Sequence, residues 1–306
     1  MNSYAPKVHV GLALPQYDYA DAGGRLAWPT VLDVAQRAEH AGFDSLWLAD
    51  HLFLGIEKYG GPPGRHFGYD PILALGALAR HTARVKLGIL VLCAQLRPPK
   101  LLVRQLETLQ GLSGGRLVPG VGAGWYEPEY EAAGIPFARP GVRLRQLAEV
   151  LDLLGEWGLP RLAGGKGDRF LELVASHADG WNTVWAWTPE AYAERAATLD
   201  RACERVGRDP AEIERSLGLT TLVGEDHRDL ERRFIRLQER TPPGVVDRRT
   251  LEEWKDGRLV GTVEEVREQL ARWRSLGVAM FIAGTGALPF GSTDPDDLEL
   301  LASALL

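Results

Sequence analysis

The chain has 306 residues, 45% hydrophobic and 25% charged, with a net charge of −6. That is ordinary globular composition, and a chain this long buries roughly three quarters of its unfolded surface, so it needs neither a disulfide nor a metal to fold. The acidic balance argues against nucleic acid or another polyanion as partner, and basic runs such as RRFIRLQER are interleaved with acids, as on a solvated helix face.

VHVGLAL (8–14) reads as a strand buried on both faces, ended by Pro15, with a Gly- and Asp-containing loop after it. Trp28-Pro29 opens a helix to about Ala41. SLWLADH (45–51) is a second strand that stops on an acid–imidazole pair, Asp50-His51. Residues 52–69 are rich in glycine and proline and read as a long surface loop, a kind that is often functional. Asp70 is a good N-cap and Pro71 a good first helical residue, so DPILALGALARHT is a helix. VKLGILVL (85–92) is the third strand, and Pro98-Pro99 start the helix that stops at Gly114-Gly115. RLVPGVGAG is the fourth strand, running into a glycine-rich turn, and GVRLRQLAEVLDLLGEW is a long amphipathic helix.

RLAGGKG is a short strand and turn, DRFLELVASHA a helix, DGWNTVW a strand. Thr188 caps the next helix. IERSLGLTTLVG (213–224) is a strand, followed by a charged helical region over 225–260. Thr262 and Glu265 form a capping box for the helix that precedes the last strand, VAMFIAGTG. DPDDLELLASALL closes the chain.

Eight strands, starting near residues 8, 45, 85, 116, 161, 181, 215 and 278, are thus each followed by a helix. Strict alternation implies parallel pairing, and right-handed crossovers close most simply into a (β/α)8 barrel. A doubly wound sheet is the alternative. No composition shift marks a boundary, so one domain is expected over 1–306. The two cysteines, Cys93 and Cys203, lie far apart and outside any CxxC, which fits a reducing, cytoplasmic setting. The N-terminus is interrupted too soon by Pro15 to read as a signal peptide, and no apolar run approaches the ~18–20 residues of a membrane helix.

In such barrels the site lies at the C-terminal strand ends. Collected there are Gln16, Asp50, His51, Leu90–Cys93, Gly120–Trp125, Gly164–Asp168, Asn182–Trp187, Thr220-Thr221 and Gly284–Gly286. No histidines have metal-ligand spacing and there is no GxSxG elbow, which disfavours common hydrolases. Asp50-His51 reads either as a strand-end pair capping local backbone or as a proton-moving histidine with an adjacent carboxylate. Glycines 120, 122 and 124 form either a tight turn or a surface that a flat ring can approach closely. AGGKGDRF precedes a helix, so its backbone N–H groups form either a phosphate site or a plain turn. It is not a Walker A loop, because Pro160 and Gly167 stand where glycine and Ser/Thr would be needed. Trp47 and Trp181 read as core; Trp125, Trp185 and Trp187 fall at strand ends, where an aromatic pocket would form.

AEHAGFDSLWLADHLF, DPILALGALARHTARVKLGILVL, LETLQGLSGGRLVPGVGAGW and GGKGDRFLELVASHADGWN together resemble the luciferase-like monooxygenase superfamily, and within it the deazaflavin (coenzyme F-420)-dependent oxidoreductases. The resemblance spans nearly the whole chain. It implies a (β/α)8 barrel, His51 as the active-site histidine beside the reactive part of the ring, and Asp50 as an acid that contacts the cofactor. It implies a bulge with a non-proline cis peptide behind the ring at Leu90-Val91. Gly122, Ala123, Gly124 and Trp125 would flank the cofactor's side chain, and Gly164, Gly165, Lys166, Gly167 and Asp168 would bind its phosphate. Gln16, Trp185 and Trp187 would line the substrate pocket, and a homodimer is expected on the same ground.

The implied chemistry is hydride transfer between F-420 and a small organic substrate. The alternative is an FMN-dependent monooxygenase supplied by a separate flavin reductase, and a second is a non-catalytic cofactor-binding barrel. One departure stands out: only EWGLPRL separates LAEVLDLL from AGG, where the family usually has some tens of residues that often cover the pocket.

Overall fold

The computed structural model describes residues 8–17, 19, 26–291, 294 and 297–306. Most of the loop after Pro15 therefore lies outside the described residues. Eight strands close into a parallel barrel: β1 (His9–Ala13), β2 (Ser45–Leu48), β3 (Lys86–Cys93), β4 (Leu117–Gly122), β5 (Leu162–Gly164), β6 (Gly180–Trp185), β7 (Glu214–Gly224) and β9 (Met280–Gly284). Pairing runs β6-β5-β4-β3-β2-β1-β9-β7, and β6 pairs with β7 to close the ring. This is the expected (β/α)8 architecture.

One strand departs from the expected count. The lower half of β7, Ser216–Thr220, pairs with β9, while its upper half, Thr221–Gly224, pairs with an additional strand β8 (Leu259–Thr262) outside the ring. The region read as charged helix over 225–260 thus holds α8 (His227–Glu239), the short α9 (Leu251–Trp254) and β8. A four-residue strand between charged stretches offers too little alternation to be read. The helix caps came out as expected: Asp70 accepts from the Leu73 N–H, Thr188 from Ala191, and Thr262 with Glu265 forms the capping box.

Strand residues alternate between two packing layers. Val10, Leu12, Leu46, Leu48, Phe281 and Ala283 point outward to the helices. Ala13, Trp47, Ala49, Leu90, Met280 and Ile282 fill the barrel interior. Trp47 is fully buried, with its Nε1–H donated to Ser45 Oγ (2.8 Å). Gly11 and Gly88 leave room for its ring; a Cβ on Gly11 would lie 2.5 Å from Trp47 Nε1.

The short connection also has a definite place. Helix α5 (Pro140–Glu156) ends, the chain turns through Gly158 at φ +70°, and β5 begins at Leu162. This turn sits at the rim where strands begin. The connection between α5 and β5 is thus a tight turn of a few residues at the end of the barrel opposite the candidate site.

Candidate active site

The β2 end delivers His51 to the mouth of the barrel, and its partner comes from elsewhere. After β4 the chain forms a one-and-a-half-turn helix, α4 (Glu127–Ala132), whose Glu129 points back toward β2. Glu129 Oε1 and Oε2 lie 2.9 and 3.1 Å from His51 Nδ1, and Oε2 also accepts the Leu52 N–H at 3.0 Å. The Glu129 side chain is 1% exposed and that of His51 17%. A carboxylate only accepts, so Nδ1 carries a hydrogen, and in a neutral ring Nε2 would keep the lone pair. Trp125 stands edge-on to the imidazole at 5.7 Å and Tyr126 at 6.5 Å. Sequence reasoning missed Glu129. The signal available was an acid pair, Glu127 and Glu129, opening a helix directly after the glycine turn.

Asp50 is placed differently from its expected role. Both its oxygens are held by Arg97, at 2.7 and 3.0 Å, and Oδ2 also accepts the Cys93 N–H at 3.0 Å. Arg97 bonds in turn to Asp70 at 2.8 Å. Asp50 is 3% exposed. Its carboxylate therefore ties the β2 end to the β3 end and to the start of α2 (Pro71–His81), instead of facing open space. The guanidinium loses hydration here, yet the two carboxylates outweigh that and hold Arg97 firmly charged. Arg97 was likewise not foreseen.

Gln16 is likewise engaged by the protein itself. Its amide donates to the carbonyls of Ala49 (2.7 Å) and Tyr69 (2.8 Å) and accepts the Ala49 N–H (2.7 Å), and the residue is 1% exposed. It stitches the β1 end to the β2 end, with both amide hydrogens and one oxygen lone pair taken up by backbone.

The register of β3 against β4 shifts between Ile89 and Leu92, and the Leu90-Val91 peptide bond is cis, where the resemblance places it. Val91 then lies across the neighbouring strand ends. A Cβ on Gly122 would be 2.6 Å from Val91 Cγ2, and one on Gly164 2.6 Å from Val91 Cγ1. These glycines thus make room for a protein side chain, whatever ring approaches above. Gly124 has φ +66°, and a Cβ there would run into Tyr130 Oη. That hydroxyl sits 2.7 Å from Cys93 Sγ and donates to Gln95 Oε1 at 2.8 Å. Burial pushes the Cys93 thiol up to about 11, and the Tyr130 bond opposes this only in part. Cys93 is 5% exposed.

The turn after β5 leads into α6 (Asp168–His177) through Gly167, with no side chain capping the helix start. A Cβ on Gly167 would meet nothing within 4 Å. First-turn N–H groups without a side-chain acceptor, in open space, fit an anion. Asp168 does not belong to that acceptor-free surface: its carboxylate pairs with Arg195 at 2.6 Å.

A second non-proline cis bond, Val184-Trp185, was not anticipated. Trp185 leans over Gly284, whose Cβ would be 2.8 Å from the ring, and meets Phe290 edge-on at 5.2 Å. It belongs to the interior layer. Trp187 packs instead with the helix layer near Tyr192 (6.5 Å). It is not brought to the barrel interior with Trp185, because the chain leaves the strand between them. Its indole N–H is buried without a partner among the described residues. The loop over 52–69 and the 225–260 region meet directly: a Cβ on Gly60 would lie 2.5 Å from the Gly244 carbonyl oxygen.

Against known proteins, the model of the luciferase-like monooxygenase family matches residues 9–157 and 154–280, breaking at the shortened connection before β5. A phthiodiolone/phenolphthiodiolone dimycocerosates ketoreductase of Mycobacterium kansasii is 25% identical, covering 81% of this chain and 88% of the relative. An F420-dependent secondary alcohol dehydrogenase, solved with an F420-acetone adduct, superposes with a TM-score of 0.76 at 18% identity, over 97% of this chain and 98% of that one. A monooxygenase from Streptomyces bottropensis superposes with a TM-score of 0.72 at 21% identity, over 97% and 98%. The closed parallel barrel, the strand-end site and the family match agree, and the chain belongs to the luciferase-like monooxygenase family.

Proposed function

We propose that this enzyme is an F-420-dependent oxidoreductase that interconverts an alcohol and a carbonyl in a small organic substrate. The observation that carries the reading is the His51–Glu129 pair: an imidazole with Nδ1 held at 2.9 Å by a buried carboxylate and with no partner for Nε2 among the described residues. When bound, F-420 accepts or supplies a hydride at C5 of its deazaflavin ring and acts only as a two-electron carrier.

His51 does the complementary work. In the oxidising direction Nε2 takes the hydroxyl proton while the carbinol hydride leaves. In the reducing direction the imidazolium returns that proton to the carbonyl oxygen. Glu129 stabilises the imidazolium by its charge and fixes the ring's tautomer. Leu90 and Val91 would back the ring, Gly122, Ala123, Gly124 and Trp125 would flank its side chain, and the turn Gly164–Gly167 with Lys166 would hold its phosphate. Trp185 borders the substrate. The ketoreductase relative and the dehydrogenase with its acetone adduct support the carbonyl–alcohol substrate class.

The test is side-by-side titration of the purified protein with F-420 and FMN, followed by turnover with secondary alcohols and ketones. Tight binding of F-420 and His51-dependent turnover are expected. Preferential binding of FMN, with oxygen consumption once a flavin reductase supplies reduced FMN, would replace this reading with a monooxygenase. Binding without any turnover would leave a cofactor-carrying barrel.

A further inference from the structure

Outside the ring, two neighbouring donors are left without acceptors. A groove of about 1160 Å³ runs between the start of α7 (Pro189–Arg205), α8, β8 and α10 (Val263–Ser275), and both Trp187 and Arg258 line it. The two residues are held together by backbone: the Trp187 N–H donates to the Gly257 carbonyl at 2.8 Å, directly before Arg258. Gly257 has φ +68°, and a Cβ there would lie 3.3 Å from the Trp187 nitrogen. Strand register puts this corner level with the barrel mouth, since β6 reaches Trp185 opposite Leu219 and β8 begins at Leu259 opposite Thr221. The turn after β5 adjoins it, with Lys166 Nζ 5.7 Å from the centre of the Trp187 ring.

Arginine in a half-buried place usually meets a carboxylate. Arg258 Nη1 instead donates to the carbonyls of Trp254 (2.6 Å) and Asp256 (3.0 Å), and no carboxylate lies within ion-pair reach among the described residues. Its Nε is buried without a partner, as is the Trp187 indole N–H. The Nε–Nη2 edge, which can grip a carboxylate with two parallel bonds, is therefore unused. Lost hydration, then the charge of Arg249, pushes the guanidinium below its ordinary range, and Asp256 opposes this only in part. Buried donors without acceptors are rare and costly, so two on touching residues at one groove mark the place of a missing acceptor. The groove's own acids do not supply it. Glu190 pairs with Arg272, Glu252 with Lys255 at 2.6 Å, and Glu265 accepts the Thr262 N–H at 2.8 Å. Glu231 and Glu268 come from α8 and α10, not from the corner.

We propose that Trp187 and Arg258 form a carboxylate site at the mouth end of this groove. A small turn of the half-exposed Arg258 side chain brings its unused edge to the groove, where the indole N–H supplies the third donor. The proposal rests on the preceding reading only for the source of the carboxylate. Coenzyme F-420 continues past its phosphate into a chain of glutamates, whereas FMN ends at the phosphate. On the F-420 reading the site takes a carboxylate of that tail as it leaves the β5 turn over Trp187; otherwise it takes a separate organic acid.

The test uses the intact protein with isotope-labelled tryptophan indoles, titrated by NMR with glutarate and with its neutral counterpart glutaramide. Trp187→Phe assigns the Trp187 signal. Affinities for F-420, for its phosphate-bearing form without glutamates and for FMN are then measured in the parent, Trp187→Phe, Arg258→Gln and Arg258→Lys, with circular dichroism to check the fold. Glutarate, unlike glutaramide, is expected to move the Trp187 indole signal, and Arg258→Gln to abolish that response. Arg258→Gln is expected to weaken F-420 about tenfold, the scale of one charge-assisted hydrogen bond, and to leave the tail-free form and FMN unchanged. Arg258→Lys keeps the charge but not the fork and should recover only part of the loss. Trp187→Phe should weaken F-420 in the same selective way.

An indole signal that glutarate leaves in place overturns the site, as does an equal response to acid and amide. Equal weakening of the tailed and tail-free cofactor overturns it too, since Arg258 would then only hold the backbone of Trp254 and Asp256. A selective glutarate response with F-420 affinity unchanged in Arg258→Gln keeps the site and assigns it to a separate organic acid. The same response in a protein that binds FMN and not F-420 keeps the site and discards the F-420 reading.

Discussion

Glu129 grips His51 Nδ1 at 2.9 Å from a position 78 residues further along the chain. Exchanging Glu129 for Gln keeps the size but removes the charge that stabilises the imidazolium, and lets an amide N–H face Nδ1 instead. Turnover of Glu129→Gln is expected to fall about ten- to a hundredfold, within the range of general acid–base contributions. Cofactor affinity should stay as in the parent. A parallel loss in both would mean that Glu129 merely holds the loop through its bond to the Leu52 N–H.

Removing the imidazole itself is the stronger change. His51→Ala is expected to lower kcat by roughly 10²- to 10⁴-fold while the fold and cofactor binding persist. Steady-state kinetics with circular dichroism checks this, and unchanged turnover would remove His51 from the chemistry.

Gly164 and Val91 form a lock of complementary shape. Gly164→Ala places a Cβ against Val91 Cγ1 and should lower stability by about 1–3 kcal/mol, as overpacking does. Adding Val91→Ala opens the space again, so the double variant should recover part of the loss. Urea midpoints of the four proteins give the coupling. Additive losses would show that the glycine answers to something other than Val91.

Glu39 caps the entry to β3, accepting the N–H groups of Ala83 (3.0 Å), Arg84 (2.7 Å) and Val85 (3.0 Å). Burial pushes its carboxyl up, but these bonds and the Arg84 charge outweigh that, leaving it below the ordinary glutamate range. A lowered folded-state pKa means stability present above the unfolded value, ~4.3, and lost as pH falls through the lower folded value. Glu39→Gln should therefore be less stable than the parent at neutral pH, with the gap closing in acid. Denaturant midpoints measured across that range test it; a gap that stays constant with pH would exclude the carboxylate charge as its source.

Much of the barrel was legible because strands buried on both faces read as apolar runs between well-signalled helices. SLWLADH, VKLGILVL and VAMFIAGTG each became a ring strand. Which way a residue faces was less accessible: Leu46 and Trp47 are both apolar, and only closure of the ring sends Trp47 inward over Gly11 and Gly88. At the site the strand-end residues were found, but not their partners. Asp50 reads as a backbone cap or a cofactor contact until Arg97 folds onto it, and Gln16 as a pocket residue until the backbone of Ala49 and Tyr69 surrounds it. Pairings across tens of residues leave no local periodicity. Glu129 shares that difficulty.

The outlying strand β8 has a consequence for life at high protein concentration. A sheet that runs past its own ring ends in an unpaired edge, and such edges invite strands from other molecules. Here the edge is four residues long, Leu259–Thr262, with α9, Lys255 and Arg258 before it and a helix directly after. The Val260 carbonyl already accepts the Gln269 side-chain amide at 3.0 Å. The protrusion thus offers a foreign strand almost no register to join.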